Sequence, residues 1–170
     1  MDISNKKHFL TVTDYSVSKE VFDLYLDESL DMLITHPQPS LEILGKYYES
    51  ADYISHTDSK RSLFEKVYHF VKSIALKKKL NLINSLQPNQ GKILDIGAGT
   101  GEFLSVAKQN GWDVTGVEPS DKAKQIAINK GVSFVEAIAP LEDHSFDVIT
   151  MWHVLEHVPE LNHQIKELKR

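Results

Sequence analysis

The chain has 170 residues, 41% apolar and 25% charged, the size of one ordinary domain with enough apolar side chains for a single sizeable core. Its 19 basic and 24 acidic residues leave a formal net charge of −5, which sets it apart from general nucleic-acid binders, whose attraction to phosphate needs a basic surface. There is no cysteine, so disulfides, thiolate metal centres and thiol nucleophiles are excluded. The polar stretch Met1 to Lys7 has no apolar segment after it, and no apolar run approaches the roughly 18 residues of a membrane span. The expectation is a cytoplasmic protein with neither a membrane nor a nucleic acid as partner.

In chain order, Phe22, Leu24 and Leu26 alternate with Asp23, Tyr25 and Asp27, and Leu30, Met32 and Ile34 alternate with Asp31, Leu33 and Thr35. This period of two predicts a small hairpin. Pro37 and Pro39 then break the chain. A long helix is predicted from about Asp58 or Ser59, with Ser62 and Glu65 at capping-box spacing and Leu63, Val67, Phe70, Val71 and Ile74 as its apolar stripe. The run Lys77-Lys78-Lys79 reads as the solvated end of that helix, where cations suit the negative end of the dipole.

After Gln87 to Gly91 the pattern changes. Strands are predicted at Lys92 to Ile96, Asp113 to Glu118, Val132 to Glu136 and Phe146 to Met151, alternating with helices over Glu102 to Asn110, Ser120 to Lys130 and Leu161 to Arg170. Apolar strands alternating with helices mean parallel pairing, and ligands of such sheets sit beyond the carboxyl ends of the strands.

At the end of the first of these strands stands Asp95-Ile96-Gly97-Ala98-Gly99-Thr100-Gly101, opening into a helix. Glycines let the backbone turn sharply and let a ligand approach closely, while free N–H groups at the helix start favour polar or anionic groups. A dinucleotide fingerprint would need Gly or Ala at 102, where this chain has Glu. An anionic Glu102 is a poor neighbour for a diphosphate and a tolerable one for a ligand without phosphate. Glu118, at the tip of the next strand and followed by Pro119, can accept both hydroxyl hydrogens of a ribose.

These segments, with Ser145-Phe146-Asp147-Val148-Ile149-Thr150-Met151-Trp152-His153-Val154-Leu155-Glu156-His157-Val158 after them, together resemble the class I S-adenosylmethionine-dependent methyltransferases of small molecules. The resemblance covers Lys92 to Arg170. It implies an α/β fold, a Rossmann-like doubly wound sheet of which the chain holds the cofactor half in strand order 3-2-1-4, behind a helical and hairpin N-terminal segment. Strands beyond the fourth are absent from this sequence, so a C-terminally truncated protein is expected, with an apolar edge strand available for self-association. The implied division is 1–58 as hairpin and lid or substrate segment and 59–170 as the S-adenosylmethionine-binding core.

The resemblance also distributes roles. Asp95 holds the methionine ammonium, Gly97, Ala98, Gly99 and Gly101 border the methionine part, and Glu118 with Pro119 binds the ribose. Glu136 and Ala137 flank the adenine, although Glu136 to Pro140 departs from the usual Gly-Asp-Ala pattern. The backbone near Met151 and Trp152 closes the methionine end. Tyr47, Tyr48, Tyr53 and His56 resemble an N-terminal helix and loop that covers the cofactor or lines a substrate pocket, with aromatic packing as the alternative. His153 is the candidate general base for an oxygen or nitrogen acceptor, with Glu156 and His157 beside it, and a purely structural role for it stays open.

Other readings compete. His153-Val154-Leu155-Glu156-His157 is literally H-x-x-E-H, an inverted zinc-peptidase pattern, but only 13 residues follow His157 and Pro159 interrupts the segment; no metal is expected. A non-catalytic nucleotide- or partner-binding module would use the same glycine loop, and an NAD-dependent oxidoreductase is disfavoured by Glu102. The principal expectation is methyl transfer from S-adenosylmethionine to a small-molecule acceptor that the sequence does not identify.

Overall fold

The computed structural model of the chain describes residues 2–40, 43, 47 and 63–170, with 63–68 as helix backbone. It divides into two compact units, Met1–Lys60 and Arg61–Arg170.

The first unit contains an antiparallel sheet of β1 (Lys7–Thr13), β2 (Val21–Asp27) and β3 (Met32–His36) in that order. The expected hairpin is β2 and β3; β1 is an addition. Its sequence, Lys7-His8-Phe9-Leu10-Thr11-Val12-Thr13, has Phe9 and Leu10 exposed, so burial leaves no alternation there and the strand is held by pairing with β2. The β2–β3 turn is organised by the buried Asp27, which accepts from the Ser29 hydroxyl at 2.6 Å and pairs with Lys6 at 2.6 Å.

The second unit opens with α1 (Leu63–Leu86) and continues as β4 (Lys92–Ile96), α2 (Glu102–Gln109), β5 (Asp113–Val117), α3 (Asp121–Ile128), β6 (Ser133–Phe134), β7 (Val148–Thr150), a 3-10 turn (Leu155–His157) and α4 (Leu161–Lys169). The four strands are parallel in order β6-β5-β4-β7, the 3-2-1-4 arrangement expected. The third and fourth strands are shorter than the apolar runs that encode them.

The apolar stripe of α1 requires correction. Phe70, Val71 and Ile74 are exposed, and the helix instead buries Leu80 and Ile83, with Leu76 packed against the core. Leu63 and Val67 have no described side chains, and the expected caps at Asp58, Ser59 and Ser62 lie outside the described residues. The helix carries two apolar faces, and the one chosen is the face that meets Phe103, Leu104 and Ala107 of α2. Nor is Lys77-Lys78-Lys79 the end of the helix, which runs on to Leu86. Trp112, buried just before β5, donates its indole N–H to Asn84 Oδ1 at 3.0 Å and so ties α1 to the sheet.

Candidate cofactor site

The carboxyl ends of β4, β5 and β7 converge on the glycine loop. In register, Asp95 of β4 lies between Gly116 of β5 and Thr150 of β7. Only 3% of Asp95 is exposed, and its carboxylate accepts the Thr150 hydroxyl at 2.6 Å. Burial pushes this carboxyl up to about 6, against the Thr150 hydrogen bond and the nearby Lys79 cation, which pull it down; the Glu118 charge adds to the rise. A strand-end acid held this far from water is an expensive arrangement for a fold and a useful one for a cationic ligand.

Beyond Asp95 the chain turns through the loop. Gly97 and Ala98 both donate backbone N–H groups to Val117 O, at 2.8 and 3.1 Å, and Gly99 N–H donates to Glu118 Oε2 at 2.9 Å. The other Glu118 oxygen accepts Ser120 N–H at 3.0 Å. The half-buried carboxylate is thereby fixed at the tip of β5, and each oxygen keeps lone-pair capacity for a further donor.

Two glycines are needed for different reasons. Gly99 has φ +54°, and a Cβ built there would meet no atom within 4 Å, so it borders open space. Gly101 has φ +68°, and its Cβ would stand 2.6 Å from Ala127 Cβ. Gly101→Ala is therefore expected to cost about 2–4 kcal/mol in urea unfolding, combining left-handed strain with overpacking. Gly99→Ala should cost about 1–2 kcal/mol, from strain alone, and act mainly on what occupies that space.

Asp95, Gly97, Ala98 and Trp152 line one open cleft of about 270 Å³ together with Lys72, Leu76, Lys79, Thr100, Glu102 and Phe103. The Trp152 ring meets Phe103 edge-on at 5.6 Å, and Lys79 Nζ lies 4.5 Å from its centroid. The Trp152 indole nitrogen is buried with no acceptor among the described residues. Glu102 does not present the bare negative charge that the sequence suggests. Lys130 pairs with it at 2.9 Å and Lys72 at 3.2 Å, holding its carboxyl below the usual range despite partial burial. The charge argument against a diphosphate is weaker than the sequence alone makes it, while the glycine spacing stands.

The remaining expected residues are more scattered. Pro119 is exposed, and Glu136 and Ala137 are exposed beyond β6, with Glu136 3.3 Å from Lys124. Met151 is half-buried directly after β7. His153 has a left-handed backbone, φ +59°, and an 86% exposed side chain whose Nδ1 is 3.8 Å from Glu156. His157 is exposed at the end of the 3-10 turn. Because this segment is a 3-10 turn preceded by a left-handed residue, His153 and His157 do not share an α-helical face, and the zinc-peptidase pattern loses its geometric basis. Tyr47 donates its hydroxyl to Glu20 and packs edge-on against Phe22 within the first unit; Tyr48, Tyr53 and His56 lie outside the described residues. Sequence reasoning missed Thr150 and Lys79. The first had a signal, a polar residue inside the apolar run of β7.

Residues 63–170 match the family model described as "Methyltransferase domain". The chain belongs to this methyltransferase family. Over 78 residues it is 36% identical to the ubiquinone biosynthesis O-methyltransferase of Nitrosospira multiformis, covering 40% of this chain and 33% of that protein. Among solved structures, the PH0226 protein from Pyrococcus horikoshii OT3 is similar at 27% identity and TM-score 0.51, covering 59% of this chain and 52% of that one. Magnesium protoporphyrin IX methyltransferase from Synechocystis PCC 6803, with bound SAM, shares the fold at TM-score 0.56 and 20% identity, covering 75% and 69% of the two chains. The chain spans less than half the length of the curated relatives it matches.

The cofactor of this methyltransferase family is S-adenosylmethionine, and the site's residues fit it. A buried carboxylate faces the cleft, a glycine borders open space where a side chain would intrude, and a second carboxylate with spare acceptor capacity stands at the tip of the adjacent strand.

Proposed function

We propose that the chain transfers a methyl group from S-adenosylmethionine to an oxygen of a small hydroxylated acceptor. The observation that carries this reading is the buried Asp95 carboxylate, held by Thr150 in the wall of the cleft, next to the loop that fixes Glu118. The oxygen acceptor is suggested by the curated relatives, whose names specify O-methylation; the acceptor skeleton is left to experiment.

When bound, the sulfonium supplies an electrophilic methyl, whose bond to sulfur breaks as an acceptor lone pair forms the new C–O bond. The protein's task is then to hold, orient and keep dry. In this reading Asp95 pairs with the ammonium, and the backbone of Gly97, Ala98, Gly99 and Gly101 borders the amino-acid chain. Glu118 and Pro119 take the ribose, Glu136 and Ala137 flank the adenine, and Met151 and Trp152 close the methionine end. His153 receives the acceptor's hydroxyl proton. Glu156 lies close enough to steady the imidazolium that forms.

The test is transfer of radiolabelled methyl from S-adenosylmethionine to a panel of dihydroxylated aromatic acceptors, run on the intact chain and on His153→Ala. Turnover is expected to fall about 100-fold or more in the variant, with affinity for S-adenosylhomocysteine within twofold. Undiminished turnover in His153→Ala assigns the proton to water, and failure to methylate any hydroxyl acceptor contradicts O-methylation.

A further inference from the structure

The segment between β6 and β7, residues 135–147, has no regular secondary structure, yet the proposed adenine contacts Glu136 and Ala137 stand at its start. The strand before them gives little support. Only Ser133 and Phe134 of β6 pair with β5, and one further hydrogen bond runs from Val135 N–H to Gly116 O at 3.0 Å. Glu136 reaches Lys124 of α3 at 3.3 Å through an exposed carboxylate, a contact of small worth.

The rest of the segment is held from a distant point of the chain. Arg170, directly after α4, uses all five of its guanidinium donors. Nη2 donates to Ile138 O at 2.7 Å and to Ala139 O at 3.1 Å, and Nη1 donates to Leu141 O and, at 2.9 Å, to Asp143 Oδ1. Nε donates to Glu167 of α4 at 2.9 Å, which fixes the guanidinium against its own helix. The main-chain oxygen of Arg170 accepts His144 N–H at 2.8 Å. Three of the acceptors are main-chain carbonyls, so the planar fork fixes the course of the backbone as well as the place of one side chain. The first of them belongs to the residue after Ala137.

We propose that Arg170 is a positioning residue for the base end of the cofactor, holding Glu136 and Ala137 where they meet the purine edge and thereby setting selectivity for adenine. This rests on the S-adenosylmethionine reading and deepens it. A carboxylate at position 136 accepts the 6-amino group of adenine and repels the carbonyl that hypoxanthine carries at the same place. That discrimination requires the carboxylate to be fixed before the ligand arrives, because a segment free to move accommodates either base and loses ordering entropy on binding. Arg170 supplies the fixing from the far end of α4, through the backbone of residues 138–141. A lysine there would offer three donors from a single point and could not hold the four acceptors of the segment together.

The experiment is calorimetric titration of the full chain, and of Arg170→Ala and Arg170→Lys, with S-adenosylhomocysteine and with S-inosylhomocysteine, which differs only in the base. The native chain is expected to bind the adenine ligand about 10-fold or more tightly than the hypoxanthine one, the range of one charge-assisted hydrogen bond. Arg170→Ala should bring that ratio to within about twofold, chiefly by weakening S-adenosylhomocysteine, and Arg170→Lys should do the same. Glu118→Ala is the control: it should weaken both ligands equally and leave the ratio as it is. Circular dichroism establishes that each variant is folded, and if Arg170→Ala does not fold, Arg170→Lys carries the test. A merely structural role for Arg170 leaves the ratio of a folded variant unchanged, and that result would overturn the proposal, as would a native chain that does not distinguish the two bases. Absence of S-adenosylhomocysteine binding to the folded native chain would instead overturn the cofactor reading, and the proposal with it.

Discussion

Glu118→Ala is expected to weaken S-adenosylhomocysteine binding by at least about 100-fold while leaving the sheet intact. The carboxylate is held by two backbone N–H groups, Gly99 at 2.9 Å and Ser120 at 3.0 Å, which aim it without exhausting its lone pairs. A ribose diol would add two charge-assisted hydrogen bonds, each worth roughly 1.5–3 kcal/mol, so their joint loss is roughly 3 kcal/mol or more and dominates any change in packing. The fold itself loses two hydrogen bonds at one loop, roughly 1–2 kcal/mol, because Glu118 lies just past the end of β5. Calorimetry with circular dichroism separates the two effects. Binding by Glu118→Ala within threefold of the native chain would remove Glu118 from the site.

Asp95 carries the second large effect, and its sign is opposite for stability and for binding. Below the ordinary carboxyl range, near 4, the group is protonated whether the chain is folded or not, and its contribution to stability is fully present. As pH rises from there to about 6 the unfolded chain ionises first while the folded chain retains its proton. Stability is therefore lost over that window, by about 3 kcal/mol at most. Binding of an ammonium-bearing ligand needs the ionised form, so affinity for S-adenosylhomocysteine should rise through pH 6 and level off above 7. Asp95→Asn keeps an acceptor for Thr150 but cannot ionise. It is expected to be more stable than the native chain above pH 7 without ligand, to lose the stability change between pH 4 and 6, and to bind S-adenosylhomocysteine roughly 10- to 100-fold more weakly at pH 7.5. Thermal unfolding from pH 4.5 to 8 and titrations over the same range check both signs. A native affinity independent of pH across 6 would contradict an ionised Asp95 as the ammonium partner.

Such opposed effects explain why the candidate site was legible in the sequence. An acid at the end of an apolar strand, a run of glycines before a helix and a second acid at the next strand tip each violate what packing alone would choose, and all three are found converging on one sheet end. The strand order followed from the family resemblance, whereas the alternation of strands and helices by itself implied only parallel pairing. What failed was whatever depends on partners distant in sequence. The α1 stripe was misplaced because Phe70, Val71 and Ile74 are as apolar as Leu76, Leu80 and Ile83, and only contact with α2 distinguishes the two faces. β1 was missed because cross-strand hydrogen bonds hold it while Phe9 and Leu10 remain exposed. Lys79 was hidden inside a run of three lysines, yet successive helical residues point about 100° apart, so such a run cannot lie wholly on one solvated face. The spacing to Leu76 and Ile83 was the available signal.

The most direct test of the central claim, that the cleft beside Asp95 is an S-adenosylmethionine site, is titration of the folded chain with S-adenosylhomocysteine and, as control, NADH. The account predicts one-to-one binding of S-adenosylhomocysteine, weakened in both Asp95→Ala and Glu118→Ala, and no binding of NADH. Binding of NADH in preference, or S-adenosylhomocysteine binding indifferent to both substitutions, would contradict it.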